Sequence, residues 1–172
     1  MMVDLFLTKK KIGFLIIHLE KNFLIMQIKT SYFYQIRYFT SNLIPVSVCL
    51  SDPIWFRPPN RQEYYIDKRG IICGLRYEPL IVQKYAACNC PCKNKNIFKG
   101  NCSTMQEYRQ LLDTIDFNKM IKAFEYCLNK FNKDTIVLIV YEAPNNPCSE
   151  RKYLQEYFNK HGIKCKELKY PI

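Results

Sequence analysis

Glycine is scarce in this chain, 5 of 172 residues beside 9 prolines, and no internal repeat is visible. That scarcity excludes collagen-like and low-complexity chains. A long apolar run is also missing. Residues 12–19 are apolar and follow Lys9-Lys10-Lys11, but Glu20, Lys21 and Asn22 interrupt them before a second short run at 23–26. A membrane helix needs about 20 mostly apolar residues. A secretory leader would be followed by a small-residue cleavage site, which the sequence lacks. We therefore expect no membrane span, and read 1–25 as an extension ahead of a domain that begins at Met26. No RRM, KH or zinc-finger signature is present.

What remains is enough for a core. The chain is 48% hydrophobic, and its length fits one domain on the usual scale of about 100–200 residues. Nine cysteines cannot all pair within one chain, so we read them as reduced thiols in a cytoplasmic protein. The net charge is +11. An excess of that size points to a polyanionic partner such as nucleic acid, or to an anionic ligand or membrane surface. A Lys-rich surface that merely keeps the chain soluble is the alternative.

Patterning predicts an α/β domain. A short strand is expected at 27–30, a short helix at 32–39, and a buried strand at 43–50 that stops at Ser51-Asp52-Pro53. Residues 57–102 hold no sustained period and read as a long, irregular, Cys-rich basic insertion. Thr104 with Glu107, or Ser103 with Gln106, makes a capping box for a short helix to about 112. Phe117, Met120, Ile121, Phe124, Cys127, Leu128 and Phe131 recur at helical spacing, and Asn132-Lys133-Asp134 breaks the run. Residues 135–141 are apolar and β-branched, as in a central parallel strand buried on both faces. A helix at 149–160 and a last strand at 163–168 complete a strand–helix–strand unit. The expected architecture is three-layered and Rossmann-like, with a mainly parallel sheet.

Ligands of open α/β sheets lie beyond the carboxyl ends of the strands. After the strongest strand come Glu142, Pro144, Cys148, Ser149, Glu150 and Arg151. A thiol at Cys148 would face the positive end of the next helix, which lowers its pKa. Ser149 is the expected cap, Arg151 an anion donor, and Glu142 a carboxylate fit for acid/base work. Trp55 and Arg57 are expected to form a wall of the same pocket. A phosphatase loop needs more than the two residues that separate Cys148 from Arg151. The alternative is a buried, unreactive Cys148 with Ser149 only capping and Glu150 and Arg151 solvated.

The run Tyr141-Glu142-x-Pro144, then Cys148 and Arg151, then Gly162-Ile163-x-Cys165-x-Glu167-Leu168 resembles the YeaO-like family called domain of unknown function 488. Lys29-Thr30-Ser31-Tyr32-Phe33, Ile36-Arg37, Leu43-Ile44-Pro45-Val46-Ser47 and Pro53-x-Trp55-Phe56 resemble its opening. The likeness implies an α/β fold over 26–56 and 103–170, and a site at the Cys148 turn. The family's Cys-His-Arg stands here as Cys148-Ser149-Glu150-Arg151, without the His and with one residue added. The Cys-rich, Lys/Asn-rich character also resembles forms carried by phages and mobile elements. That implies a nucleic-acid-binding or protein-binding accessory protein, such as a counter-defence inhibitor of a nucleoprotein, as the alternative to an enzyme.

Two features lie in the middle third. Cys88, Cys90, Cys92 and Cys102 offer four thiolates for a structural Zn²⁺, with Cys73 as a replacement. Their C-x-C-x-C spacing is tighter than structural zinc sites use, and reduced loop thiols remain the alternative. Residues 57–109 hold ten Lys and Arg against four acids, so +6 of the +11 lies there. Tyrosines interleave with these charges, and Lys93, Lys95 and Lys99 are the candidates for nucleic-acid contact.

Overall fold

A computed structural model of the chain describes residues 26–82, 103–144 and 149–170. In chain order the elements are β1 (Gln27–Tyr32), β2 (Leu43–Ser47), β3 (Tyr65–Ile66), β4 (Ile72–Cys73), α1 (Ser103–Asp113), α2 (Phe117–Phe131), β5 (Thr135–Val140), α3 (Arg151–Lys160) and β6 (Cys165–Glu167). Short 3-10 turns cover Phe33–Tyr38, Ile54–Phe56 and Glu78–Leu80.

All six residues of β5 are buried, as a β-branched run with no polar face requires. It lies between β1 and β2 in a four-stranded sheet of order β2-β5-β1-β6, and every neighbouring pair is parallel. The mainly parallel α/β sheet expected from the sequence is present. β5 and β6 do not pair with each other, because β1 lies between them. β2 is an edge strand of this sheet, which suits Pro45. Ser47 donates outward to the Leu75 carbonyl and accepts from Tyr77, so Pro45, two residues earlier, turns its nitrogen to that same outer side.

Alternation along β5 divides the core. Ile136, Leu138 and Val140 pack with Met105, Tyr108 and Leu112 of α1, Met120, Phe124 and Leu128 of α2, and Leu154 and Phe158 of α3. Val137 and Ile139 face the other way, onto Phe33, Ile36, Phe56 and Ile71. The α-helices therefore cover one face. A 3-10 turn and the β3-β4 hairpin cover the other.

The helix ends follow local chemistry. Asp116 caps α2 by accepting from the Lys119 N–H at 3.0 Å, and Asn132 closes it in the left-handed conformation at φ 51°. α3 begins at Arg151, two residues later than expected, and the Ser149 hydroxyl accepts from the Arg151 N–H at 3.3 Å. β2 stops at Ser47 and β6 spans three residues, both shorter than expected, while β1 runs two residues further, to Tyr32.

The stretch from 57 reads as irregular in sequence, yet its described part is built into the core. Asp67 organises the hairpin turn: its carboxylate accepts from the Arg69 and Ile71 N–H groups, and Gly70 takes φ +79°. Ile71, Ile72 and Cys73 are then buried. Two-residue strands are too short to leave a period. Residues 83–102, with the cysteine cluster and Lys93, Lys95 and Lys99, lie outside the described residues. Among the described residues no helix is long and apolar enough to cross a membrane.

Candidate functional site at the carboxyl edge of the sheet

Parallel strands deliver all their carboxyl ends to one edge, so residues distant in sequence meet there. Thr30 shares the face of Ile28 and Tyr32 on β1 and stands opposite Glu167 of β6. The Thr30 hydroxyl donates to Glu167 Oε2 at 2.7 Å, and Gln155 Nε2 donates to Thr30 Oγ1 at 2.6 Å. Arg151 and Gln155 sit one helical turn apart on α3 and face this pair together. Arg151 Nε lies 2.9 Å from Glu167 Oε2, without the alignment of a hydrogen bond. The same guanidinium donates to the Glu142 carbonyl and lies 5.7 Å from the Tyr32 ring centre. Arg151 and Glu150 are both buried, so the alternative of a solvated pair does not hold here. Burial pushes the Glu167 carboxyl above its ordinary range, against the pull of Arg151 and of the Thr30 hydroxyl.

A second network follows β2. The Asp52 carboxylate is buried, accepts from the Ser47 hydroxyl at 2.5 Å and pairs with Arg76 at 2.7 Å. Arg76 also donates to the Cys49 carbonyl, and Arg57 Nε to the Asp52 carbonyl. The Cys49 thiol is held far above its ordinary pKa by burial and then by the carboxylates of Glu150, Asp52 and Glu142. The charges of three acids of this edge thus act on one buried sulfur. Glu142 is the accessible member. One of its carboxyl oxygens is buried without a partner, and burial, with Glu150 next, pushes its pKa up to about 7. A carboxylic acid that titrates near neutrality can both give and take a proton.

Beside this acidic floor lies an aromatic rim. Phe33 follows β1, and Trp55, Phe56 and Tyr141 meet it edge-on at ring-centre distances of 6.0, 5.2 and 6.1 Å. Trp55 is 50% exposed and Tyr34 52%. Phe33, Tyr34, Arg37, Trp55 and Arg69 line an open groove of about 450 Å³. The Arg37 guanidinium lies 3.5 Å over the Tyr34 ring, while Arg69 is clamped by Asp67 and by the carbonyls of Ile36 and Arg37. Among the described residues no carboxylate pairs with Arg37 or Arg57. A larger cavity of about 750 Å³, lined by Met26, Phe117 and His161, lies at the opposite, amino end of the strands.

Of the residues expected from the sequence, Glu142, Ser149 and Arg151 meet at this edge, and Trp55 stands in its rim with the exposed Arg57 two residues on. Cys148 lies outside the described residues. Sequence reasoning missed Asp52, Arg76, Glu150 and Glu167 as site members, and Tyr34, Arg37 and Arg69 as groove residues. For Glu167 a signal existed. It shares the inward face of β6 with buried Cys165, and a carboxylate there demands a cation. Among the described residues no group of three His, Cys, Asp or Glu side chains could hold a metal ion. Compared with family models, with curated proteins and with solved structures, the chain has no match in any of the three.

Glu142 carries a pH signature. Its native pKa is raised from 4.5 to about 7, so the fold prefers the protonated form. That preference stabilises fully below pH 4.5 and is lost as pH rises through about 7. Glu142→Gln, always neutral, should therefore melt at the same temperature as the parent at pH 4.5 and several degrees above it at pH 8. Thermal melts at both pH values check this, and an equal gap at the two would contradict it.

Proposed function

We propose that the carboxyl edge binds an anionic ligand built as a nucleotide, with its base on the aromatic rim and its phosphate on the arginines beside it. The groove between Trp55 and Tyr34, with Arg37 at its wall, is the observation that carries this. A flat ring beside a cation that pairs with no carboxylate among the described residues matches the two halves of a nucleotide. Arg151 is occupied by Glu167 and by the Glu142 carbonyl, so the phosphate is assigned to Arg37 and Arg57 rather than to Arg151. The same reading takes the body as a Rossmann-like, three-layer domain whose second outer layer is the 3-10 and hairpin segment. It also keeps the likeness to domain of unknown function 488. In support, Glu142 and Glu167, from two separate motifs of that likeness, both contact Arg151 of the third.

Trp55 is the only tryptophan of the chain, so base stacking is read directly in intrinsic fluorescence. Titration with adenosine monophosphate should quench it saturably, and Arg37→Ala should raise the apparent Kd about tenfold, the scale of one charge-assisted hydrogen bond. Absence of saturable quenching would sink the proposal.

A second reading adds thiolate chemistry. α3 begins at Arg151, three residues after Cys148, and Glu142 titrates near neutrality at the same edge. The thiols of Cys49, Cys73, Cys127 and Cys165 are all pushed up by burial, Cys127 to about 11 and Cys165 to about 12. They hold almost no thiolate at neutral pH. Iodoacetamide at pH 7.5 should therefore modify Cys148 well before these four, as peptide masses would show. Equal rates would instead favour a non-enzymatic accessory protein.

A further inference from the structure

The aromatic rim is longer than one nucleotide needs. From Tyr34 the rings continue to Tyr38, 6.5 Å away between centres, and from Tyr38 to Tyr170, a further 6.0 Å. Tyr38 is 44% exposed, close to Trp55 and Tyr34. A single base covers one ring. Trp55, Tyr34 and Tyr38 together offer half-exposed rings along one surface, Tyr34 with Arg37 over one of its faces, and large aromatics left in water in such a series mark a binding surface.

The charges fit the same geometry. Arg37 lies between Tyr34 and Tyr38 in the 3-10 turn, Arg57 follows the Trp55-Phe56 pair, and Lys68 and Arg69 stand in the hairpin turn. Asp67 is already bound by Arg69, and Glu63 is the other exposed acid of that hairpin segment. The cations thus outnumber the acids along the rim. Beneath it, Asp52, Glu142, Glu150 and Glu167 face two partly or fully buried arginines, Arg76 and Arg151. With both arginines already paired to these acids, the floor has no cation to spare for a phosphate. A polyanion would therefore find its cations at the rim rather than at the floor.

We infer that the ligand of this edge is single-stranded nucleic acid, its bases stacked on Trp55, Tyr34 and Tyr38 and its phosphates met by Arg37 and Arg57. The inference rests on the nucleotide reading above and extends it from one unit to several. Duplexes keep their base faces stacked inside, so rings of this kind select unpaired strands. Ring stacking accepts every base alike, so sequence preference should be weak.

The test is fluorescence anisotropy of labelled oligothymidylates of two, five and ten nucleotides with the full chain, beside thymidine monophosphate quenching of Trp55 and a ten-base-pair duplex. The ten-mer should bind at least about a hundredfold tighter than the mononucleotide. Its affinity should fall steeply between 50 and 200 mM salt as phosphate contacts release counterions. Tyr38→Ala should weaken the ten-mer about fivefold or more, the scale of one stacked base. Equal affinity for mononucleotide and ten-mer, or for duplex and single strand, overturns the inference and leaves the nucleotide reading standing. Failure of both mononucleotide and ten-mer to bind removes the two together. The length series needs no variant, so it decides even where Tyr38→Ala does not fold.

Discussion

The carboxyl edge depends on one buried ion pair, Arg151 with Glu167. Arg151 opens α3, Glu167 ends β6, and the same guanidinium reaches back to the loop after β5. One side chain thus fixes an edge strand, a helix start and the loop bearing Glu142. Buried charges tolerate this only when paired and surrounded by hydrogen bonds. Thr30 and Gln155 supply those bonds from β1 and α3. The Asp52–Arg76 pair does for the β2 side what Arg151 does for the β6 side.

Once these arginines are committed inward, the division of labour at the edge follows. The floor is acid-rich; one carboxyl oxygen each of Glu142 and Glu167 is buried without a hydrogen-bond partner, and the Glu142 pKa sits near neutrality. The rim is aromatic and cationic, with Arg37 and Arg57 free of carboxylates among the described residues. In the proposed reading an anion is drawn to the rim, with Glu142 at its border. Part of the net charge of +11 thereby gains a place in the described structure.

Much of this fold was legible in sequence. β5 announced itself through an unbroken β-branched run, α2 through its three- and four-residue steps, and the end of α2 through the polar break after Phe131. Glu142 and Arg151 were legible as residues just beyond a parallel strand. Their roles were not, because the partner of Arg151 comes from a strand beyond the next helix and Thr30 from the other end of the chain. The hairpin at Tyr65–Cys73 was hidden, since two residues per strand cannot show alternation. The groove was hidden as well. Phe33, Trp55 and Arg69 belong to three loops that only the sheet brings together.

A double-mutant cycle on Arg151 and Glu167 tests the central claim most directly, with urea unfolding of Arg151→Met, Glu167→Gln and the double variant. Each single change strands a buried charge and should lose on the order of 3–5 kcal/mol. The double variant should lose clearly less than the sum, with a coupling above about 1 kcal/mol. Losses that add to within about 0.5 kcal/mol would contradict the account. They would mean that the edge does not hang on this pair.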